Sequence, residues 1–270
     1  MSDSLLKCPL GQTGLEVSAL GWGTVKLGRN TQVKYPEGFS LPDDRVAAQL
    51  LHLVRDLGIN LLDTAPAYGI SEERLGKLLK GQRQDWVLCT KAGEFFDGRE
   101  SRFDFSPAAI KLSVEQSLRR LRSDYIDLLL IHSDGDDSRL INELEVFRPL
   151  EELKRAGWIR AYGMSTKTLE GGLLTARHAD LVMLTYNPDQ RDQKPVIDEC
   201  LRLHKGVLVK KALASGHLAL DTRHADPVSA SLSLVLGHPG VTSAVIGSIN
   251  PDHLRNNVSK AREILATQQK

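Results

Sequence analysis

Four polar side chains stand at or just beyond the ends of three successive apolar runs. Asp63 closes "INLLD" (59–63), Tyr68 follows it in "DTAPAYG", Lys91 closes "DWVLCTK" (85–91) and His132 closes "YIDLLLIH" (125–132). Together these residue types make a proton-transfer device. A free tyrosine ionises at about pH 10, too high for easy acid–base work at neutrality. A lysine ammonium beside it favours the phenolate and lowers that value. An aspartate paired with the lysine keeps it charged and aimed. A histidine can donate a hydrogen bond to a substrate oxygen while hydride arrives at the neighbouring carbon. Such a site would protonate a carbonyl oxygen, so reduction is expected to fall in alkali and the reverse oxidation to rise. Singly, the residues have plainer readings: a turn cap at Asp63, a loop aromatic at Tyr68, a solvated rim charge at Lys91, a satisfied polar group at His132. Their position at consecutive strand ends is what favours chemistry.

The elements that would position them recur along the chain. Strand-like apolar runs lie at 18–23, 59–63, 85–91, 125–132, 159–165, 181–186, 206–211 and 242–248. Between them the apolar residues take helical spacing, as in Val46, Ala47, Leu50, Leu51, Val54 and Leu57. Ser106 followed by Pro107 marks one helix start, Ser71 with Glu72 and Glu73 another, and "NPDHLRNNVSKAREIL" reads as the last helix. Eight strand–helix units in 270 residues predict an α/β fold, a (β/α)8 TIM barrel, with residues 1–270 as one domain. The competitor is a doubly wound sheet, but "GWGTVKLG" after the first strand lacks the dinucleotide spacing of that fold. The opening "LKCPLGQTGLEVS" breaks the rhythm and reads as an N-terminal β-hairpin plugging the lower end of the barrel.

The bulk composition narrows the partners. The 35 basic and 34 acidic residues nearly cancel, which argues against a nucleic-acid or anionic-membrane surface. No apolar run has the length of a membrane span, and the N-terminus has no apolar core of a signal peptide. Cys8, Cys89 and Cys200 are scattered and odd in number, as expected of a reduced, cytoplasmic protein.

At this point the sequence resembles a known family, the aldo-keto reductases. "DTAPAYG", "TKAG" and "LIHSDG" are similar to its three catalytic segments, in order. "LGQTGLEVSALGWGT" resembles its opening hairpin and first strand, "GMST" its nicotinamide segment, and "AVIGSINPDHLRNNV" its last cofactor segment. The resemblance implies NAD(P)H-dependent reduction of a small-molecule aldehyde or ketone, or the reverse. Tyr68 would be the acid, Lys91 and Asp63 would tune it, and His132 would orient the carbonyl. It implies NADP as cofactor, with NADPH favoured over NADH, extended across the barrel mouth. Gly23, Thr24 and Asp63 would lie near the nicotinamide and Ser165 would hold its carboxamide. Lys211, Leu213 and Ser215 would approach the pyrophosphate. Gly247, Ser248 and Asn250 would meet the adenosine phosphate, where free N–H groups at a helix start suit an anion, and His253 and Asn257 would face the adenine.

Departures from the family pattern cluster at the nicotinamide. Thr166 replaces the usual asparagine after Ser165, Met183 a glutamine, and Lys210 a stacking aromatic; among cations near a 2′-phosphate, Arg255 is the remaining candidate. Tyr35 and Phe39 in one long loop, and Phe95, Phe96 and Phe103 in another, are candidate pocket walls or loop packing. The chain ends soon after its last helix, from which an open, less selective pocket is expected. Three other functions compete: a lyase forming a Schiff base on Lys91, disfavoured by Asp63; a metal-dependent hydrolase using His132, Asp134, Asp136 and Asp137, against a solvated acidic loop; and a non-catalytic nucleotide-sensing or binding protein on the same barrel.

Overall fold

The computed structural model describes residues 5–216 and 225–268. The chain opens with a hairpin, β1 (Lys7–Pro9) and β2 (Glu16–Ser18), turned at Gly11 and Gly14. The barrel strands are β3 (Leu20–Gly23), β4 (Leu61–Asp63), β5 (Val87–Ala92), β8 (Ile126–His132), β9 (Ile159–Ser165), β10 (Leu181–Thr185), β11 (Gly206–Lys210) and β12 (Ser243–Ile246). A second hairpin, β6 (Glu94–Phe96) and β7 (Ser101–Phe103), rises from the end of β5. The eight barrel strands pair in parallel and close in the order β10–β11–β12–β3–β4–β5–β8–β9. All eight predicted strands are present, several trimmed by one or two residues at their ends.

Helices α1 (Val25–Gly28), α2 (Asp44–Asp56), α3 (Ser71–Leu78), α4 (Pro107–Leu121), α5 (Asp137–Asn142), α6 (Phe147–Arg155), α7 (Leu169–His178), α8 (Lys194–Arg202), α9 (Pro227–Leu236) and α10 (Pro251–Gln268) fill the connections. Ser106 caps α4 as expected, its hydroxyl accepting from Ala109 N at 3.3 Å. Ser71 does not cap α3. It is the first helical residue, and its hydroxyl donates instead to Thr24.

Alternation along the strands sorts the core into two parts. Outward residues such as Leu62, Leu88, Leu129 and Val182 pack beneath the helices. Inward residues Leu61, Val87, Cys89, Leu128, Leu130, Ala161, Leu181, Met183 and Leu208 fill the barrel. Leu10, Leu15 and Val17 from the hairpin join this inner set and seal the lower end, as the sequence predicts. The same parity carried one step further puts Asp63, Lys91, His132, Ser165, Thr185 and Lys210 inward at the upper rim.

The turn bearing Tyr68 is fixed by backbone proximity. A Cβ on Gly28 would lie 2.2 Å from Tyr68 O and from Ser71 N, and one on Gly69 (φ +61°) would lie 2.2 Å from Gly28 O. Gly28→Ala is expected to cost about 1–3 kcal/mol through forced overpacking, seen as a lower Tm. Gly38→Ala, where a Cβ meets open space, should leave Tm unchanged.

Candidate active site

Lys91 is 1% exposed and Asp63 5%. The ammonium donates to Asp63 Oδ1 at 2.5 Å and to Thr64 O at 2.9 Å. Burial works against this charge, but Asp63, with Tyr68 and Cys89, outweighs it and holds the lysine above its ordinary range. A protonated, paired amine is no nucleophile, which removes the Schiff-base reading. Tyr68 ends a single 3-10 turn, Pro66–Tyr68, and Lys91 Nζ sits 4.7 Å from its ring centroid. Here the electrostatics differ from expectation. Burial raises the phenol's pKa more than Lys91 lowers it, so the hydroxyl ionises well above pH 10.

His132 stands edge-on to Tyr68 with ring centroids 6.2 Å apart. Its Nδ1 lies 2.7 Å from Glu94 Oε2, though off the N–H direction. Burial lowers the pKa of His132 below 6.5; Glu94 raises it in part, and Lys91 and Lys210 lower it further. Glu94 was missed in the sequence. Its signal was a hairpin pattern, "EFFDGRESRF", around an Asp97–Gly98 turn in which Asp97 Oδ1 accepts from Arg99 N and Glu100 N. Beside the hairpin, Arg29 stacks its guanidinium 3.6 Å from the Phe96 centroid and donates to Ala67 O.

The opposite side of the mouth carries Lys210. Its Nζ donates to Ser165 Oγ at 2.8 Å and to Thr166 O at 2.9 Å, both neutral acceptors. Burial, then Lys211 and Lys91, bring its pKa down to about 7. Met183 is buried one layer deeper, inside the barrel. Thr24 is buried with its hydroxyl donating to Asp63 O at 2.9 Å, so its side chain serves the strand end. Lys211 and Ser215 lie in a tight turn at positive φ with Leu213 half-buried between them. Gly247 sits under Tyr35, whose hydroxyl would be 3.2 Å from a Cβ there. Asn250 caps α10, its Oδ1 accepting from Asp252 N and His253 N; His253 is exposed and Asn257 buried.

The loop aromatics pack mainly on one another and on nearby cations. Tyr35 meets Phe39 edge-on with Lys26 at 4.2 Å, and Phe103 stacks on Phe105. The acidic loop is also internally satisfied. Asp137 accepts from Ser133, Lys167 N and Thr168, while Asp134 and Asp136 pair with Arg139. Among the described residues no group of His, Cys, Asp or Glu is arranged to hold a metal ion, and no helix is long and apolar enough to cross a membrane.

A profile described as "Aldo/keto reductase family" matches residues 19–229. The chain belongs to the aldo-keto reductase family. It is similar to a crystal structure of an aldo-keto reductase from Pseudomonas aeruginosa at 52% identity, over 97% of each chain, with TM-score 0.88. It is 30% identical to the oxidoreductase YqkF of Bacillus subtilis over 94% of this chain and 90% of the relative. The holo form of the aldo-keto reductase AKR11C1 from Bacillus halodurans superposes with TM-score 0.79 at 29% identity, over 97% of this chain and 96% of that one. As a member, the protein is an NAD(P)-dependent oxidoreductase acting on carbonyl compounds.

The residues present fit a nicotinamide dinucleotide. Ser165 Oγ accepts from Lys210, so its own proton remains available for a carboxamide oxygen. Lys34, Lys167 and Lys211 lie close enough for the first two to lower the pKa of the third, after burial; such a cation cluster suits phosphate.

Removing one member of the buried pair should expose its cost. Asp63→Asn and Lys91→Met are each expected to lose about 3–5 kcal/mol of stability in denaturant unfolding. The double variant should lose less than the sum of the two.

Proposed function

We propose that Tyr68 is the proton donor in NADPH-dependent reduction of an aldehyde or ketone, and the acceptor in the reverse oxidation. The observation that carries this reading is the Lys91 ammonium held by Asp63 and Thr64 with the Tyr68 ring 4.7 Å away. When bound, NADPH supplies the hydride that forms the new C–H bond. The chain's own residues handle the oxygen. Tyr68 gives its O–H proton to that oxygen as negative charge develops there, and the phenolate left behind faces the Lys91 ammonium. The ammonium is the reason a hydroxyl that ionises so high can still part with its proton: its charge stabilises the product state specifically. Asp63 holds the ammonium rather than touching the substrate, and His132 orients the carbonyl oxygen.

On this reading Ser165 holds the carboxamide of the cofactor, and Gly23, Thr24 and Asp63 border the nicotinamide. Lys211, Leu213 and Ser215 approach the pyrophosphate, and Gly247, Ser248 and Asn250 the adenosine phosphate. His253 and Asn257 meet the adenine, with Arg255 as the cation for a 2′-phosphate.

Two measurements test this. Trp22 is fully buried and donates from its indole to Ser248 O at 2.9 Å, so tryptophan fluorescence should report cofactor binding. NADPH is expected to quench it at lower concentration than NADH. Failure of both to bind would return the protein to the non-catalytic binding class. Tyr68→Phe should lose turnover by at least about a hundredfold while its NADPH titration is unchanged; retained turnover would exclude Tyr68 as the acid.

A further inference from the structure

His132 and Glu94 form a close pair at the mouth, with side chains 19% and 13% exposed. The carboxylate is well anchored. Burial favours its neutral form, but the adjoining His132, with Ser101 and the charge of Arg29, brings its pKa down to about 2. It is therefore an anion at every working pH. An anionic oxygen 2.7 Å from Nδ1 would repel a bare nitrogen lone pair, aligned or not. The proton of a neutral His132 therefore resides on Nδ1, which leaves Nε2 an acceptor only. A carbonyl oxygen is also an acceptor. Neutral His132 has no hydrogen to offer it, and only the imidazolium can donate from Nε2.

We propose that Glu94 is a positioning residue that fixes a proton on His132 Nδ1, so that carbonyl reduction runs only through the His132 imidazolium, whose Nε2–H steadies the carbonyl oxygen while Tyr68 gives up its proton. The proposal rests on the reading of Tyr68 as the acid and adds a second ionisation to it. The alkaline limb of the reduction rate then belongs to His132. Tyr68, held protonated by burial, does not supply a limb in the ordinary range.

The sign follows from the groups that face the ring: Glu94 from β6, Lys91 from β5, Lys210 from β11 and Tyr68 from the turn after β4, with Arg29 acting on Glu94. Burial and the two lysines place the imidazolium's pKa below 6.5, against the pull of Glu94. Reduction should therefore be fastest below that pKa and fall as pH rises through it. Without the charge on Glu94 the neutral ring is free to carry its proton on Nε2 and to donate it, so reduction no longer needs the imidazolium and the limb flattens.

The test measures kcat/KM for reduction of 4-nitrobenzaldehyde by NADPH between about pH 5 and 9, in the native protein and in Glu94→Gln. The native profile should descend on the acid side of 6.5. At a fixed pH about two units above the native limb, Glu94→Gln should be faster than the native protein by about tenfold or more, since the native imidazolium fraction falls tenfold per unit there while the variant's neutral ring still donates from Nε2. Its NADPH titration should be unchanged. Should the variant fail to fold, nitrogen-15 NMR of histidine-labelled native protein decides alone. The His132 resonances, assigned by their loss in His132→Asn, should show the neutral ring protonated on Nδ1. A limb that stays in place in Glu94→Gln, or a neutral ring protonated on Nε2, overturns the proposal. Failure of the underlying reading looks different: NADPH does not bind, or Tyr68→Phe keeps its turnover.

Discussion

A lysine ammonium sealed from water at the top of a hydrocarbon-filled barrel is tolerable only beside a carboxylate. The pairing of Lys91 with Asp63 is the constraint on which the mouth of this barrel depends. The register that opposes Asp63 to Cys89 sets Lys91 one inward step further along β5, within reach of both Asp63 and Thr64. The turn that follows Asp63 then has a charge to fold around. It brings the ring of Tyr68 over the ammonium, and the close approach of Gly28 and Gly69 leaves that turn no alternative position.

The rest of the rim follows from strand parity. On six of the eight barrel strands the inward apolar chain ends on a polar residue, so the chemistry is a continuation of the core pattern by a single residue per strand. The outcome is asymmetric. On one side Lys91 is matched by Asp63, and His132 stands against the Glu94 carboxylate. On the other, Lys210 is held by neutral oxygens of Ser165 and Thr166. The matched side faces the Tyr68 hydroxyl. The unmatched side faces the segments that the family resemblance assigns to an anionic dinucleotide.

Much of this was legible in the sequence because it is periodic. The eight strands, the plugging hairpin and the Asp63–Lys91 pair all follow from alternation and from what stands at a strand end. Ser71 misled because a serine before two glutamates has the pattern of a cap, while its hydroxyl in fact ties two neighbouring loops together through Thr24. The sign of the shift at Tyr68 was misread because the sequence shows the nearby lysine but not the depth of burial that outweighs it. Glu94 escaped notice because its importance is long-range: nothing within its own hairpin says that the hairpin folds back over His132. Lys210 was visible as a departure, but its two partners were not, since they come from the end of another strand.

The cysteines carry a consequence of a different kind. Cys89 lies inside the barrel, opposite Asp63 in strand register, and burial, with the Asp63 charge, holds its thiol well above the ordinary range. Burial likewise raises Cys8, and pushes Cys200 up to about 12. All three are free thiols, and all three are kept in the protonated form that reacts slowly with oxidants and alkylating agents. A protein whose trade is reactive carbonyls works among electrophiles. Its sulfur chemistry is muted by burial, and Cys89, the cysteine beneath the mouth, is packed into the apolar filling of the barrel, so the compounds drawn to the mouth find no thiolate there to poison.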